Sequence, residues 1–272
     1  TNPKEVVKEL AATSKSANAT LDNSFSFIQG LPSFFAHPKE WVSAFLKSWE
    51  VIAKELVGID TKNLVRMDIS SRPNALNGKY EAGKYDLGIK YEEAFPQSRL
   101  FTLIEKTPIL GRIAKAAESA FNSFALSLRA NLADKYIAMM ERQGIDALNP
   151  TEAVSVGKMT NSITGRGNIG KLKVVGEELN VLLFSVRFFK GSWDILTAHA
   201  FDPTMSRFAR KQAALNLAKV VGGISATLWI ADQLWPGSVE WDSTSSKFGK
   251  ICQPGTKICY NVSGGLRPIV TL

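Results

Sequence analysis

A mainly α-helical fold follows from three features of the sequence. Apolar residues recur at three- and four-residue spacings over long stretches, Pro stands just inside and Gly just past several of these, and β-prone pieces gather only near the end. The expectation is an irregular bundle of about six helices with a small β-hairpin or extended C-terminal appendage, forming one domain.

The first clear helix has Pro38 in its opening turn and Trp41, Val42, Phe45, Trp49, Ile52 and Leu56 as its predicted apolar face, with Gly58 ending it. Residues 58–96 hold Gly, Asn, Lys and scattered Tyr without a sustained period, which reads as a long irregular excursion. The longest helix opens at Thr107-Pro108 and runs through Ile113, Ala117, Phe121, Phe124, Leu128, Leu132, Tyr136 and Met140 to a stop at Gly144. Its Phe121, Phe124 and Leu128 are expected inward, and Arg112, Lys115, Glu118 and Asn122 outward. Asn149-Pro150 with Glu152 resembles a capping box at the start of the next helix. Leu172, Val175, Leu179, Leu182, Leu183 and Val186 make a further stripe.

Asp202-Pro203 is the predicted cap of the last helix, which should run to about Trp235 and bend or break near Gly222-Gly223. A glycine pair inside a helix costs about 1 kcal/mol per residue against Ala, so close approach of another helix is the expected offset. Within this helix the stretch from Val220 to Ala231 carries no charge, and its ~18 Å falls short of a ~30 Å hydrocarbon core. Such lengths usually mean a core helix; membrane insertion or helix docking is the alternative. Gly222, Gly223, Trp229 and Trp235 are therefore the candidates for helix packing or membrane contact. Residues 236–272 read as a hairpin or extended tail. There Cys252 and Cys259 flank a Pro254-Gly255 turn, either pairing across a hairpin in an oxidising setting or remaining two unlinked thiols.

Composition narrows the functional classes. The chain has 272 residues, is 45% hydrophobic and 21% charged, and carries a net charge of +8. That balance argues against a disordered or low-complexity identity and leaves ample material for a core. Eight basic against four acidic residues lie in 201–272, so half of the net charge sits in the last quarter. Basic excess invites phosphate binding, but no run of consecutive Lys or Arg longer than the pair Arg210-Lys211 exists. The opening TNPKEVVKEL is polar and has no secretory core, and the start at Thr1 without Met predicts a segment of a longer polypeptide. With two Cys and only His37 and His199, no metal site or cofactor is expected. Neither histidine has a nucleophile beside it in sequence, and no catalytic residue is assigned.

The sharpest string is TGRGNIGKL, in which Gly165, Gly167 and Gly170 spell G-x-G-x-x-G and Gly165 to Lys171 spell G-x-x-x-x-G-K. A phosphate-binding loop of that kind follows a buried strand and carries Ser or Thr after the Lys. Here a capped helix precedes it and Leu172 follows. The expectation is a tight connection whose glycines supply positive φ, with nucleotide binding disfavoured. As contacts to phosphate or DNA, the basic candidates are Arg166, Lys171, Arg187, Arg207, Arg210 and Lys211.

The ordered strings YEEAF, IEKTPILGR, LSLRANLADKYI, NSITGRGNIGKL, LNVLLFSVRF and SSKFGKI before SGG resemble a domain of bacteriophage large polyvalent proteins. The similarity covers roughly residues 20–265 and lies in the order and spacing of the strings. It departs from the family pattern at Val186, where Pro often stands, and at Cys259-Tyr260, where Asp-Pro is common. The resemblance implies a helical module of a non-enzymatic virion protein, internal to the particle and ejected with the genome. Its implied partners are phage DNA, portal, tail or other internal virion proteins and the host inner membrane, with an oligomeric state in the particle. The implied location is the virion interior, then the host envelope or cytoplasm. A DNA-binding module of a larger phage polyprotein is the alternative.

Overall fold

A computed structural model describes residues 26, 30–81, 83–89, 108–166, 191–195, 199–253, 255–256 and 258–263. Its elements, in chain order, are α1 (Leu31–Ala36), α2 (Pro38–Leu56), α3 (Lys62–Ser70), α4 (Pro73–Leu76), α5 (Pro108–Arg142), α6 (Pro150–Ile163), α7 (Arg207–Leu234), β1 (Lys250–Cys252) and β2 (Cys259–Asn261). The fold is mainly helical, with a two-stranded antiparallel sheet near the C-terminus.

Glycine stops end three of the helices in the same way. After α2, Gly58 takes φ +89° and its N–H donates to Glu55 O, while Ile59 N–H donates to Lys54 O. Gly144 repeats the pattern after α5, with Ile145 N–H donating to Met140 O, and Gly165 repeats it after α6, with Arg166 N–H donating to Asn161 O. Each pair satisfies carbonyls that the helix end leaves without partners, and each needs a left-handed residue that glycine adopts without a Cβ penalty. At the start of α6 the Asn149 side chain accepts from the N–H groups of Thr151 and Glu152. The reciprocal half of the capping box is absent, because Asn149 N–H donates to Asp146 O instead.

α5 is the central element, and α2 runs antiparallel along it. Glu55 near the end of α2 meets Lys115 and Ser119, whereas Trp41 near its start meets Phe124 at a ring-centroid distance of 5.9 Å. The inward face of α2 is Trp41, Ala44, Ser48 and Val51; Val42, Trp49 and Leu56 from the predicted face are exposed. Close packing of two long helices favours small residues along the contact line, and the facing helix buries Ala116, Ala120, Ser123 and Ser127. For the same reason α5 is covered on more than one side. Asn122, expected outward, is 4% exposed and donates to Glu118 O of its own helix. Phe124, Leu128, Leu132, Tyr136 and Met140 are buried as expected, and Phe121 is half-buried.

The excursion is more ordered than its sequence suggests. It contains α3, whose Val65 and Ile69 point inward, and α4; nine residues with two inward positions are too short to register as a period. Asp134 of α5 clamps this segment by accepting from Arg72 at 3.1 Å, Asn74 at 2.8 Å and the Tyr80 hydroxyl. Tyr85 is buried, its hydroxyl donating to Ala147 O, and its backbone crosses directly over Gly157 of α6. A Cβ at Gly157 would lie 2.6 Å from the Tyr85 carbonyl carbon and closer to its oxygen. Only glycine fits there.

α7 departs from expectation in three respects. It starts after Ser206, whose hydroxyl accepts from Ala209 N–H, not at Asp202. Asp202 instead closes a local turn by accepting from the N–H and hydroxyl of Thr204, which also hold its carboxyl below the usual range. The helix is also continuous through Gly222-Gly223. Close approach is real but belongs to one glycine of the pair: a Cβ at Gly223 would lie 2.6 Å from Phe35 Cγ of α1, whereas Gly222 faces open space. The half of α7 packed on the core is the basic one, through Phe208, Ala209, Ala213, Asn216 and Val220, with Arg207 and Lys211 on its exposed side. The stripe from Leu172 to Val186 lies outside the described residues.

Candidate functional site

The glycine-rich string is where phosphate chemistry would have to reside. Its first glycine, Gly165, ends α6, so a helix and not a strand leads into it. Arg166 turns back to the excursion: its Nη1 donates to Gly88 O at 3.0 Å, beside Arg129 Nη1 at 3.3 Å from the same oxygen. Gly88 sits at φ +56°, and its missing Cβ leaves room for the Arg166 guanidinium. Lys171 and Arg187 lie outside the described residues.

Both histidines find partners that the sequence does not bring near them. His37, between α1 and α2, is buried with Lys135 Nζ 3.1 Å from Nδ1 and Tyr136 Oη 2.7 Å from Nε2. An ammonium can only donate, so Nδ1 accepts and the ring proton sits on Nε2, which donates to Tyr136 Oη. That oxygen also accepts from Asn216 Nδ2 at 2.8 Å. Burial, with Lys135 and Lys219 nearby, pushes the His37 pKa down to about 3. Burial raises the Tyr136 phenol well above its ordinary value. Lys135 is paired with Glu40 at 3.0 Å, so three helices meet at one neutral imidazole. This cluster fastens the α1–α2 junction and α2 to α5 and α7; a ring that stays neutral across the physiological range is a fixed joint and not a proton carrier.

His199 lies next to Ser162 of α6, with Nε2 2.8 Å from Oγ. The sequence offers no hint of this pair, since 37 positions separate them. Hydroxyl and imidazole in contact are the first two members of a nucleophilic arrangement. Their exposures are 3% and 7%, so a substrate carbonyl cannot reach the hydroxyl as the structure stands. The contact ties α6 to the segment before α7.

The remaining candidates fall on α7. Arg207 and Lys211 are exposed, Arg210 is half-buried, and Lys219 reaches Ala36 O at 3.4 Å, satisfying the C-terminal carbonyl of α1. At the other end Trp229 and Trp235 are exposed, together with Val221, Ile230 and Leu234. Trp241, which sequence reasoning passed over, joins them: it is exposed, and its Nε1 donates to Asp232 Oδ2 at 3.3 Å. Its place in a tail without period gave no signal; the hydrogen bond to α7 is what brings it alongside. Among the described residues α7 is the one helix long and apolar enough to cross a membrane, yet only 22% of its most apolar stretch is buried. The core-helix expectation for Val220–Ala231 therefore fails. Beyond Ile224, which still touches the main core, the cover found among the described residues is a small cluster around Leu228, Ala231 and Val239.

Among the described residues the protein is thus mainly helical, with its last long helix packed at its basic end and largely exposed at its apolar end. No family model, no curated protein and no solved structure matches the chain.

Proposed function

We propose that this chain is a non-enzymatic segment of a phage virion protein, carried inside the particle and ejected with the genome, and that α7 is the surface through which it meets the host inner membrane. The uncovered apolar half of α7 carries this reading. Its exposed positions present Arg207 and Lys211 on the same helix as Leu215, Val221, Trp229, Ile230 and Leu234, and its one acidic residue, Asp232, is half-buried. Cations beside bare apolar side chains suit an anionic lipid surface, and tryptophans favour the headgroup level. Although the whole helix is long enough to cross, its uncharged stretch is only ~18 Å against ~30 Å and its basic half is packed on the core, which favours a helix lying in the interface plane. The delivery role, with portal, tail or other internal proteins as neighbours and oligomerisation in the particle, rests on the resemblance described above.

Flotation of the whole chain on vesicles tests the membrane part. Co-flotation with vesicles containing phosphatidylserine, reduced on zwitterionic vesicles and by Trp229→Ala, is the expected result. A chain that stays at the bottom of the gradient with both overturns it. Mass spectrometry of intact and emptied particles tests delivery, since the protein should leave with the genome. A second reading, contact with phage DNA, is favoured by the exposed Arg207 and Lys211 in the first turns of α7, where no acidic residue opposes the helix dipole. Duplex binding with a steep salt dependence that disappears in Arg207→Ala/Lys211→Ala would support it.

A further inference from the structure

Among the described residues, the C-terminal unit is fastened to α7 chiefly by one small apolar cluster. Leu228, Ala231 and Val239 are buried together, with Ile224, Ile251 and Val262 partly buried around them; Ile224 is the residue shared with the main core. Three polar bonds add to this: Ser238 Oγ donates to Ala231 O, Gly237 N–H to Asp232 Oδ1, and Trp241 Nε1 to Asp232 Oδ2. The unit's own framework is equally slight. β1 and β2 are three residues each; on the other side of β1 the Val239–Ile251 bridge is flanked by Cys252 N–H to Ser238 O and Glu240 N–H to Lys250 O, so β2 is the member held by least besides the disulfide. A hairpin of that size is marginal in water without further constraint. Cys252 stands opposite Cys259 in the register and is disulfide-bonded to it, so the constraint is covalent.

We propose that the disulfide-closed hairpin is a redox-released cover on the apolar half of α7. A dithiol reductant supplies two electrons and two protons. The Sγ–Sγ bond breaks, each cysteine sulfur takes a proton, and the reductant closes into its own disulfide. β2 and Val262 are then no longer held covalently beside β1 and swing away from the helix, while residues 237–241 and β1 keep their own bonds to α7 and to each other. With Val262 gone from the cluster, Leu228, Ala231 and Ile224 gain exposure beside Val239 and Ile251 and extend the exposed surface of Val221, Trp229, Ile230 and Leu234 around the helix. Disulfides persist in oxidising surroundings and are lost in a reducing cytosol, so the cover is closed outside the cell and open inside it. The consequence for lipid contact rests on the membrane reading above; the uncovering does not.

Hydrogen exchange of the full chain, oxidised and after reduction with dithiothreitol, tests the cover, with Cys252→Ser/Cys259→Ser as the permanently open form. Two free thiols are confirmed by titration. Amides of 225–263 should exchange at least about ten-fold faster when reduced, and binding of an apolar dye should rise, while α5 amides stay unchanged. Unchanged exchange and dye binding in the reduced and the double-variant protein overturn the proposal, as does acceleration that includes α5, which would mean global loosening. In a parallel arm with phosphatidylserine vesicles, binding that rises on reduction supports the link to lipid. Uncovering without vesicle binding in either state leaves the cover standing and removes the membrane reading.

Discussion

Two adjacent glycines of α7 should respond with opposite signs to the same substitution. Both lie in a helix interior, where Ala is favoured over Gly by about 1 kcal/mol. At Gly222 a Cβ meets nothing within 4 Å, so Gly222→Ala should stabilise by about that amount. At Gly223 the same methyl would overlap Phe35, whose Cγ lies 2.6 Å from the Cβ position and whose ring is backed by Phe34 at 5.4 Å and, beyond it, by Trp41. Overpacking of this kind costs about 1–3 kcal/mol, which cancels or outweighs the propensity gain. Because helix propensity is common to both positions, the difference between the two variants isolates the overlap. In thermal unfolding it corresponds to roughly 2–4 °C for each kcal/mol. Phe35→Ala serves as the control, since without the ring Gly223→Ala should become as stabilising as Gly222→Ala. If Gly223→Ala stabilises as much as Gly222→Ala with Phe35 in place, the two helices do not approach as described.

Other perturbations test other joints. His37 stays neutral in the folded chain down to about pH 3, whereas the unfolded chain protonates it near 6.5, so its contribution is present above pH 6.5 and lost as pH falls through that window. The expected slope is about 1.4 kcal/mol per pH unit for one proton; urea titrations should show it flattened in His37→Gln, and an unchanged slope would contradict the assignment. Gly157→Ala should lower the urea midpoint more than Gly223→Ala, since it meets the Tyr85 backbone and not a ring, and a neutral effect would mean that the excursion does not cross there. Phe124→Ala should cost about 3–5 kcal/mol and the half-buried Phe121 clearly less, with equal losses refuting the burial pattern. Lys171→Ala should leave any ATP affinity unchanged in calorimetry; micromolar binding lost in the variant would establish a nucleotide site.

The basic candidates divide according to how far their roles are local. Arg207 and Lys211 are exposed on α7, as a polar helix end should be. Arg166 and Lys219 are instead spent on carbonyls of Gly88 and Ala36, an outcome that no spacing rule contains. The Ser162–His199 contact and the His37–Tyr136–Asn216 cluster were equally invisible, because each joins residues from distant elements.

What the sequence determined by itself is whatever a few neighbouring residues settle. Pro38 and Pro150 start helices, Asn149 caps one, and Gly58, Gly144 and Gly165 stop three, because φ preference and local hydrogen bonds act within a turn or two. Tertiary structure decided which face of each helix is inside. Ala44 and Ser48 displaced Val42 and Trp49 because two long helices approach most closely over small side chains, a gain that hydrophobicity alone does not register. It also chose Ser206 over Asp202 as a cap, and Gly223 over Gly222 as the close contact. Above all it left the apolar end of α7 bare: a twelve-residue uncharged run reads as core until the neighbouring helices are seen to end before it, and only the geometry of α1 and the hairpin fixes where that happens.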